Sequence, residues 1–495
     1  MNIDPKRIPV LVGIGQSIER DAIISHLDLT ARAAEAAFED APGIAGRIQR
    51  LSMVSAAFSR VGAAPASELA ASLGLKDVVC EVTTPGGNSP QWLMNRACRE
   101  IAQGELETTL LCGAEATRSM QLENPGGDFM FAGMQGREGD SAPPDPVVGA
   151  PVEDIMSRQE IEARLYRPPE IYPVLESALA HEAGATPQQW RDHIAAFMAR
   201  SSEVAARNPL AWFQQARTAE EIATPGSKNR LTAEPYTKCM NSFAAVDLGA
   251  ALLVTSLDTA REAGLDDQCI FPWAGATNAE VPPISRPHLG RSEALRTAAG
   301  AAFSATGLGL DDMDTIDIYS CFPVAVEVGA AEIGLALDDP RGLTMTGGMS
   351  FFGGPGNNYT SHGIACSALQ LREKGRFAYV SGNGGILSKH SVGIYSSEPP
   401  TDGFQHPDTS TEQKAIDEAA ILATSRADGT ARVVGGTVVY DRNGVVTSAP
   451  VIATLDDGRR IVANADPELL PDLAGRSLVG ETINVKGEAP PTYSF

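Results

Sequence analysis

The most informative stretch of this chain is the glycine-rich run Gly347-Gly348-Met349-Ser350-Phe351-Phe352-Gly353-Gly354-Pro355-Gly356. Glycines cluster where the backbone adopts positive φ or approaches another group closely, so this composition is typical of a tight loop that lines a site. A plain turn between a sheet and a helix would have the same composition. The segments on either side must therefore distinguish a functional loop from a turn.

Strand and helix patterns flank the glycine run on both sides. Around it, apolar spacing predicts strands at 270–274, 315–319 and 377–381 and helices at 292–306, 325–335 and 361–373. The N-terminal part predicts a similar order, with strands at 9–15, 48–57 and 109–113 and helices at 28–38, 66–73 and 89–101. Strands that alternate with helices in two similar halves predict a layered α/β fold.

Two further segments depart from this alternation. Between about 120 and 235 there is little strand pattern, and prolines frame helices such as 188–208, which predicts a helical insertion that covers a site. Residues 401–415 are rich in turn formers and indicate a linker. Beyond them, Asn443-Gly444 and Asp457-Gly458 separate strand-like runs, which predicts a small antiparallel β-barrel. The expected units are thus 1–257 with the insertion, 258–400, and a barrel over 416–495.

Composition limits the classes of function. The 495 residues suffice for two or three domains, and 43% hydrophobic with 20% charged residues is ordinary for a globular protein. Because no apolar stretch approaches the roughly 20 residues that span a bilayer, and the start lacks a signal-peptide pattern, a cytoplasmic location is expected. The net charge of −23 argues against nucleic acid and anionic membranes as partners.

The seven cysteines are odd in number and form no C-x-x-C pair. This pattern favours reduced thiols over a disulfide framework or a zinc site, so no metal is expected.

A resemblance to a known family rests on four segments taken together. They are Asn241-Ser242-Phe243-Ala244-Ala245 with the apolar residues after it, Tyr319-Ser320-Cys321-Phe322, the glycine run, and Gly382-Asn383-Gly384-Gly385. Over about residues 5–398 the chain resembles the thiolase superfamily, and especially its acetyl-CoA acetyltransferase-like branch, thiolase-like protein type 1. The resemblance implies a thiolase fold of two similar βαβαβαββ halves in α/β/α/β/α layers, followed by an OB-like barrel.

The residues that perform thiolase chemistry are missing from the matching positions. Thiolases need a nucleophilic cysteine at a helix N-terminus, where the helix dipole lowers the pKa of the thiol. Counted back from Gly104, that position falls on Gly87, before a helix with Ser89 as its expected N-cap. The second cysteine would fall on Ser381 or its neighbour Gly382, and the histidine before proline is replaced by Gly354. A ping-pong thiolase mechanism is therefore not expected.

Five polar residues beside the implied pocket are candidates for catalysis. They are Tyr319, Tyr359, His362, His390 and Asn383. Tyr319 could donate a hydrogen bond to a substrate oxygen, His362 or His390 could act as base, and Asn383 could hold a carbonyl. Each could instead be structural: a histidine at a helix start is often a cap, and asparagine among glycines is often a turn residue.

Backbone N–H groups of the glycine segments could hold an oxyanion or part of coenzyme A. The glycines expected to do so are Gly347, Gly348, Gly353, Gly354 and Gly384.

Two functions remain open from the sequence. The first is an enzyme that makes or breaks a C–C bond next to an acyl-CoA or β-keto acid without a cysteine, by a retro-Claisen or retro-aldol step. The alternative is a catalytically degenerate module that binds CoA or acyl-CoA, or a scaffold for a partner thiolase. Coenzyme A is expected as a co-substrate, with no tightly bound cofactor, and the chain as a monomer or homodimer.

Overall fold

The computed structural model describes residues 3–127, 129, 132–134, 143–149, 156–487 and 490–495. The strands are β1 (Pro9–Ile18), β2 (Arg50–Met53), β3 (Val79–Thr83), β4 (Thr108–Ala116), β5 (Val147–Val148), β6 (Leu231–Ala233), β7 (Tyr236–Thr237), β8 (Asp247–Ser256), β9 (Phe271–Ala279), β10 (Thr315–Asp317), β11 (Phe377–Gly384), β12 (Lys389–Ser396), β13 (Gly429–Gly436), β14 (Val439–Tyr440), β15 (Val446–Ser448), β16 (Pro450–Leu455), β17 (Arg460–Ala465), β18 (Thr482–Lys486) and β19 (Thr492–Ser494). The α-helices are α1 (His26–Asp40), α2 (Pro65–Ser72), α3 (Ser89–Gln103), α4 (Thr117–Glu123), α5 (Arg158–Glu162), α6 (Pro168–Glu182), α7 (Pro187–Arg207), α8 (Ala219–Ala223), α9 (Leu257–Glu262), α10 (Glu293–Thr306), α11 (Pro323–Ile333), α12 (Tyr359–Glu373) and α13 (Ser410–Glu418).

Two sheets repeat one strand arrangement. The first has the order β1-β8-β4-β2-β3-β5 and the second the order β9-β12-β11-β10. In each, a parallel pair (β4 with β2, β11 with β10) is joined to an antiparallel pair (β8 with β1, β12 with β9). The prediction of two similar α/β halves is confirmed, and only β3 and β5 lack a counterpart.

Helices α3 and α12 form the middle layer between the two sheets. Both contact strands of both sheets and each other. Pro90 lies in the first turn of α3, where its missing N–H costs no helical hydrogen bond, and Gly104 ends the helix with a left-handed φ of +77°. The N-cap is Asn88 rather than the expected Ser89, one residue earlier. Both helices are buried on several faces, as a middle layer requires.

The insertion is largely helical, as predicted, although residues 128, 130–131, 135–142 and 150–155 lie outside the described part of the chain. Its longest helix is α7, which begins with a capping box between Thr186 and Gln189. The strands β6 and β7 end the insertion and lead to β8. Helix α6 contacts both α11 and β13, so the insertion packs against the second half and the barrel.

The C-terminal strands form a closed barrel in the order β13-β16-β17-β19-β18. The hairpin β14–β15 leaves the barrel and pairs with the insertion, giving a separate sheet β15-β14-β6-β7. Helix α13 runs through the expected boundary between linker and barrel.

In the described ranges, no helix is long and apolar enough to cross a membrane. The same residues contain no group of three or more His, Cys, Asp or Glu side chains placed to hold a metal ion.

Candidate functional site

The candidate site lies where the N-termini of α3 and α12 meet the ends of β10 and β11. Gly87 directly precedes the N-cap of α3, and Tyr359 is the first residue of α12. Tyr319 follows β10, and Asn383 is the penultimate residue of β11. The topology thus brings together segments more than 290 positions apart in the sequence. Two helix N-termini directed at one place favour negative charge there.

The space of a side chain at Gly87 is already occupied. A Cβ on Gly87 would lie 2.6 Å from the main-chain oxygen of Asn383 and nearer still to the hydroxyl of Tyr319. A cysteine at residue 87 therefore cannot be accommodated unless both neighbours move. The phenol of Tyr319 occupies the place that the nucleophilic thiol of a thiolase-type site would need.

Tyr319 is almost fully buried, and its ring meets that of Tyr359 edge to face at 5.5 Å. Its main-chain N–H donates to Ser381 Oγ at 3.2 Å, which holds the end of β10 against β11. The Tyr319 hydroxyl makes no hydrogen bond to any residue that the structure describes. Burial raises the pKa of this phenol well above its ordinary value, so it is a neutral donor.

The hydroxyl of Tyr359, in contrast, is engaged by protein groups. It lies 3.0 Å from Ser320 Oγ and 2.6 Å from Thr346 Oγ1. Burial raises the pKa of the Tyr359 phenol far above its ordinary value, so this group also stays neutral. In this arrangement Tyr359 orients the loop around Thr346 and backs the ring of Tyr319.

Both candidate histidines are buried and neutral. His362 directs Nδ1 to Gln16 Oε1 at 2.6 Å and its ring to Phe352 at 5.0 Å. His390 directs Nε2 to the hydroxyl of Ser292 and to the carbonyl of Leu387, each at 3.1 Å. Burial lowers the pKa of each to about 3. Their described contacts are to protein groups, and a role as base remains a prediction that requires a change of conformation.

The side chain of Asn383 faces the insertion. Its Nδ2 donates to the hydroxyl of Tyr172 at 3.2 Å and lies 3.8 Å from Cys321 Sγ. Its Oδ1 is buried and has no partner in the described residues. The Tyr172 hydroxyl in turn donates to the carbonyl of Gly385 at 2.7 Å. The Asn383 side chain therefore has an unpartnered acceptor on the side of the insertion, while its main-chain oxygen borders Gly87.

The glycine loop packs against protein atoms at the expected positions. Gly347, Gly348 and Gly353 have φ of +110°, +79° and +112°, the left-handed region that favours glycine. A Cβ on Gly354 would clash with the hydroxyl of Ser242, and one on Gly384 with Asn88. Ala205 of helix α7 packs directly against Gly347. Contact between these glycines and a cofactor stays a prediction.

No cysteine near the site has the environment of a nucleophile. Burial raises the pKa of Cys321 to about 12, and that of Cys98 in α3 further still. A thiol with a raised pKa is a poor nucleophile near neutral pH. Both therefore behave as packed side chains.

One cavity adjoins the site, and a second lies apart from it. A small one of about 50 Å³ lies at the N-terminus of α3, lined by Asn88, Ser89, Trp92 and Lys389 among others. A larger one of about 350 Å³ lies at the carboxyl ends of β2 and β4 and includes Ser59 and Ala116 in its wall. Tyr319, Tyr359 and Asn383 are only 7%, 0% and 4% exposed, so a bulky ligand must displace protein groups to reach them.

Sequence reasoning missed Tyr172 and Ser242, which seal the site. Ser242 lies in one of the four segments on which the family resemblance rests, so the sequence already pointed to this segment as part of the site, where Ser242 lies against Gly354. Tyr172 had none, because it belongs to the insertion and reaches Gly385 across 213 positions of sequence.

Neither a protein-family model nor a curated protein matches the chain. Among solved structures, a monomeric SCP2-thiolase-like protein type 1 from Mycobacterium smegmatis is 32% identical, with all of both chains covered and a TM-score of 0.85. The Ltp2-ChsH2(DUF35) aldolase is 18% identical over 79% of this chain and 98% of that one, with a TM-score of 0.60. Human mitochondrial 3-ketoacyl-CoA thiolase in complex with CoA is 16% identical over 80% and 100%, with a TM-score of 0.54.

The aldolase and the human thiolase share only the fold with this chain. Together with the strand order of its two sheets, this likeness shows that the chain has a thiolase fold. The first structure adds identity over the full length, including the C-terminal barrel. The chain belongs to the thiolase superfamily and, within it, to the SCP2-thiolase-like proteins of type 1.

Proposed function

We propose that this protein binds an acyl-CoA or a β-keto acid at the site around Gly87 and Tyr319 and forms no acyl-enzyme. The observation that carries the proposal is the position of the Tyr319 hydroxyl, which fills the space of the missing thiol and has no described partner. A hydroxyl without a protein partner on a largely buried residue gains a hydrogen bond when a ligand oxygen accepts from it, so such a ligand would be favoured.

The polarity of the site supports an oxygen-rich ligand. The N-termini of α3 and α12 favour the partial negative charge of a thioester or carboxylate oxygen. The Tyr319 phenol is neutral because burial raises its pKa, so it can donate to such an oxygen but cannot readily remove a proton. This combination fits a hydrogen bond to a carbonyl better than the abstraction of a proton.

The fold supports coenzyme A as the carrier of the acyl group, because the human thiolase of the same fold is in complex with CoA. The full-length relative is described as monomeric, which favours a monomer here over a scaffold for a partner thiolase.

The second candidate function is that of an enzyme that catalyses a retro-aldol or retro-Claisen step without a cysteine. The main-chain oxygen of Asn383, which borders the same space at Gly87 as the Tyr319 hydroxyl, favours it because a donor and an acceptor could act on two oxygens of one substrate. An aldolase among the structures of the same fold adds support from fold alone. In such a step Tyr319 would stabilise the enolate oxygen, while the base would be His362 or His390 after rearrangement.

Tyr319→Phe is expected to weaken binding of acetoacetyl-CoA about 5- to 30-fold, because one hydrogen bond of about 1 to 2 kcal/mol is lost. Isothermal titration calorimetry of the full chain measures the change in Kd.

Tyr493→Phe is the matched control for this binding test. Its hydroxyl donates to the carbonyl of Ala449 at 3.0 Å inside the barrel, so loss of that hydroxyl should leave Kd unchanged. Equal binding by the wild type and Tyr319→Phe would contradict the proposed role of Tyr319. Products detected by mass spectrometry in the same mixtures, and lost in Tyr319→Phe, would favour the enzyme over the binding protein.

A further inference from the structure

Helices α6 and α7 close the candidate site. Tyr172 of α6 donates to the carbonyl of Gly385 at 2.7 Å and accepts from Asn383. Ala205 of α7 lies over Gly347, where there is no room for even a Cβ. We call α6 and α7 together the lid. Because Tyr319 and Asn383 are largely buried beneath these contacts, a ligand that enters from this side requires the lid to move.

One turn after Tyr172, on the same face of α6, Glu176 is fully buried. Its Oε1 accepts from Trp190 Nε1 at 2.6 Å, and its Oε2 accepts from the hydroxyl of Tyr236. Tyr236 also accepts from the main-chain N–H of Val324 at 3.3 Å, in the first turn of α11, a helix of the second thiolase half. One turn further along α11 lies Glu327, which is buried and whose Oε2 has no partner in the described residues. The pair therefore joins the lid to the body that the lid covers.

Few charged groups are placed to balance this pair. His193 of α7 lies 3.0 Å from Glu327 Oε1 and is partly exposed. The nearby arginines are engaged elsewhere: Arg191 of α7 pairs with Glu234 at 2.7 Å and Arg291 pairs with Glu332 of α11 at 2.9 Å. Among the described residues, no arginine or lysine forms an ion pair with either carboxyl, and two neighbouring buried carboxyls cannot both be ionised at low cost without one.

We infer that the Glu176–Glu327 carboxyl pair is a proton-dependent latch that holds the lid closed over the candidate site and releases it when the shared proton is lost. The inference rests on the proposed function only for the identity of the ligand that the lid admits.

The sign of the pH dependence follows from the closed state. Burial raises the pKa of Glu327 to about 7, and burial together with the charge of Glu327 raises the pKa of Glu176 well above its ordinary value. When the lid opens, water reaches both carboxyls and their pKa values fall. The closed state is therefore favoured at low pH, and its advantage is lost as pH rises from the open-state pKa values through the closed-state ones.

Hydrogen exchange of the unliganded full chain tests the latch. For one proton released on opening, the opening constant should rise by up to about tenfold per pH unit between about pH 5 and about pH 7, the pKa of Glu327 in the closed state. The readout is deuterium uptake in peptides covering 168–182 and 385–388, corrected for the intrinsic pH dependence of exchange, with barrel peptides over 450–465 as the internal reference.

Glu327→Gln keeps the shape and a hydrogen-bonding group but removes the charge, so its lid peptides should lose the pH dependence. Glu182→Gln, at the exposed end of α6, is the matched control and should keep the dependence. Glu176→Gln provides the same test from the other carboxyl if Glu327→Gln melts at a lower temperature. A wild-type lid without pH dependence, or the same dependence in both latch variants, would overturn the inference. Because no ligand is used, either result leaves the binding proposal at Tyr319 to its own test.

Discussion

Gly87→Ala is expected to lower the free energy of unfolding by about 1 to 3 kcal/mol, the usual cost of forcing an extra carbon into a packed interior. The added Cβ would meet the hydroxyl of Tyr319 and lie 2.6 Å from the main-chain oxygen of Asn383. The phenol can shift, but the main-chain oxygen belongs to β11 and cannot move alone. Urea denaturation followed by circular dichroism measures the change.

Gly300→Ala is the control for this substitution, because a Cβ there meets no atom within 4 Å and the residue lies inside α10. Alanine is the better helix former, so this variant should be as stable as the wild type or up to about 1 kcal/mol more stable. If Gly87→Ala proved as harmless as Gly300→Ala, residue 87 would have room for a side chain. The explanation for the missing thiol would then fail.

Glu115→Ala is expected to destabilise the protein by about 3 to 5 kcal/mol, since each buried donor left without a partner costs about 1 to 3 kcal/mol. Glu115 is fully buried at the end of β4 and accepts hydrogen bonds from the main-chain N–H groups of Ala57, Phe58 and Ser59. It also accepts from the Ser59 hydroxyl at 2.7 Å. The truncation would leave these donors buried without an acceptor, which thermal and urea unfolding would detect.

Glu115 also supports the glycine loop, because a Cβ on Gly356 would touch its carboxylate. The next loop residue, Asn357, donates to the carbonyl of Ser55 at 2.8 Å and accepts from the N–H of Gly86 at 3.0 Å. Glu115→Gln, which keeps one acceptor oxygen, should fall between the wild type and Glu115→Ala. Glu123→Ala, on the exposed end of α4, should change stability by less than about 0.5 kcal/mol. A loss below 1 kcal/mol in Glu115→Ala would contradict this account of the loop.

Much of the fold could be predicted because its signals are local. Apolar periodicity located both central helices, and the predicted 188–208 became Pro187–Arg207. The Asp457-Gly458 turn marked the barrel hairpin β16–β17, and the Asn443-Gly444 turn marked the hairpin β14–β15, which lies outside the barrel. Counting back from the Gly104 cap placed residue 87 at the start of α3. Strand ends were less accurate: the expected strand at 48–57 is limited to Arg50–Met53, because Ser55 and the residues after it form the loop held by Glu115.

The closure of the site could not be predicted, because it depends on contacts between distant segments. Tyr319 meets Gly87 across 232 positions, and Glu176 meets Glu327 across 151. The Asn-Gly turn predicted the hairpin β14–β15, but no pattern in the sequence predicted that β14 would pair with β6 of the insertion. A local pattern can show that a residue is buried, but it does not identify the partner that buries it.

The central claim is that no thiol in this protein traps an acyl group, because Tyr319 occupies the nucleophile's space at Gly87 and the thiols of Cys98 and Cys321 are buried with raised pKa values. Intact-protein mass spectrometry after incubation with acetyl-CoA and acetoacetyl-CoA tests it most directly. The account predicts that the protein mass stays that of the unmodified chain under conditions where the ligand binds. An acetyl adduct that forms during incubation, maps to a cysteine and is removed by free CoA would contradict it.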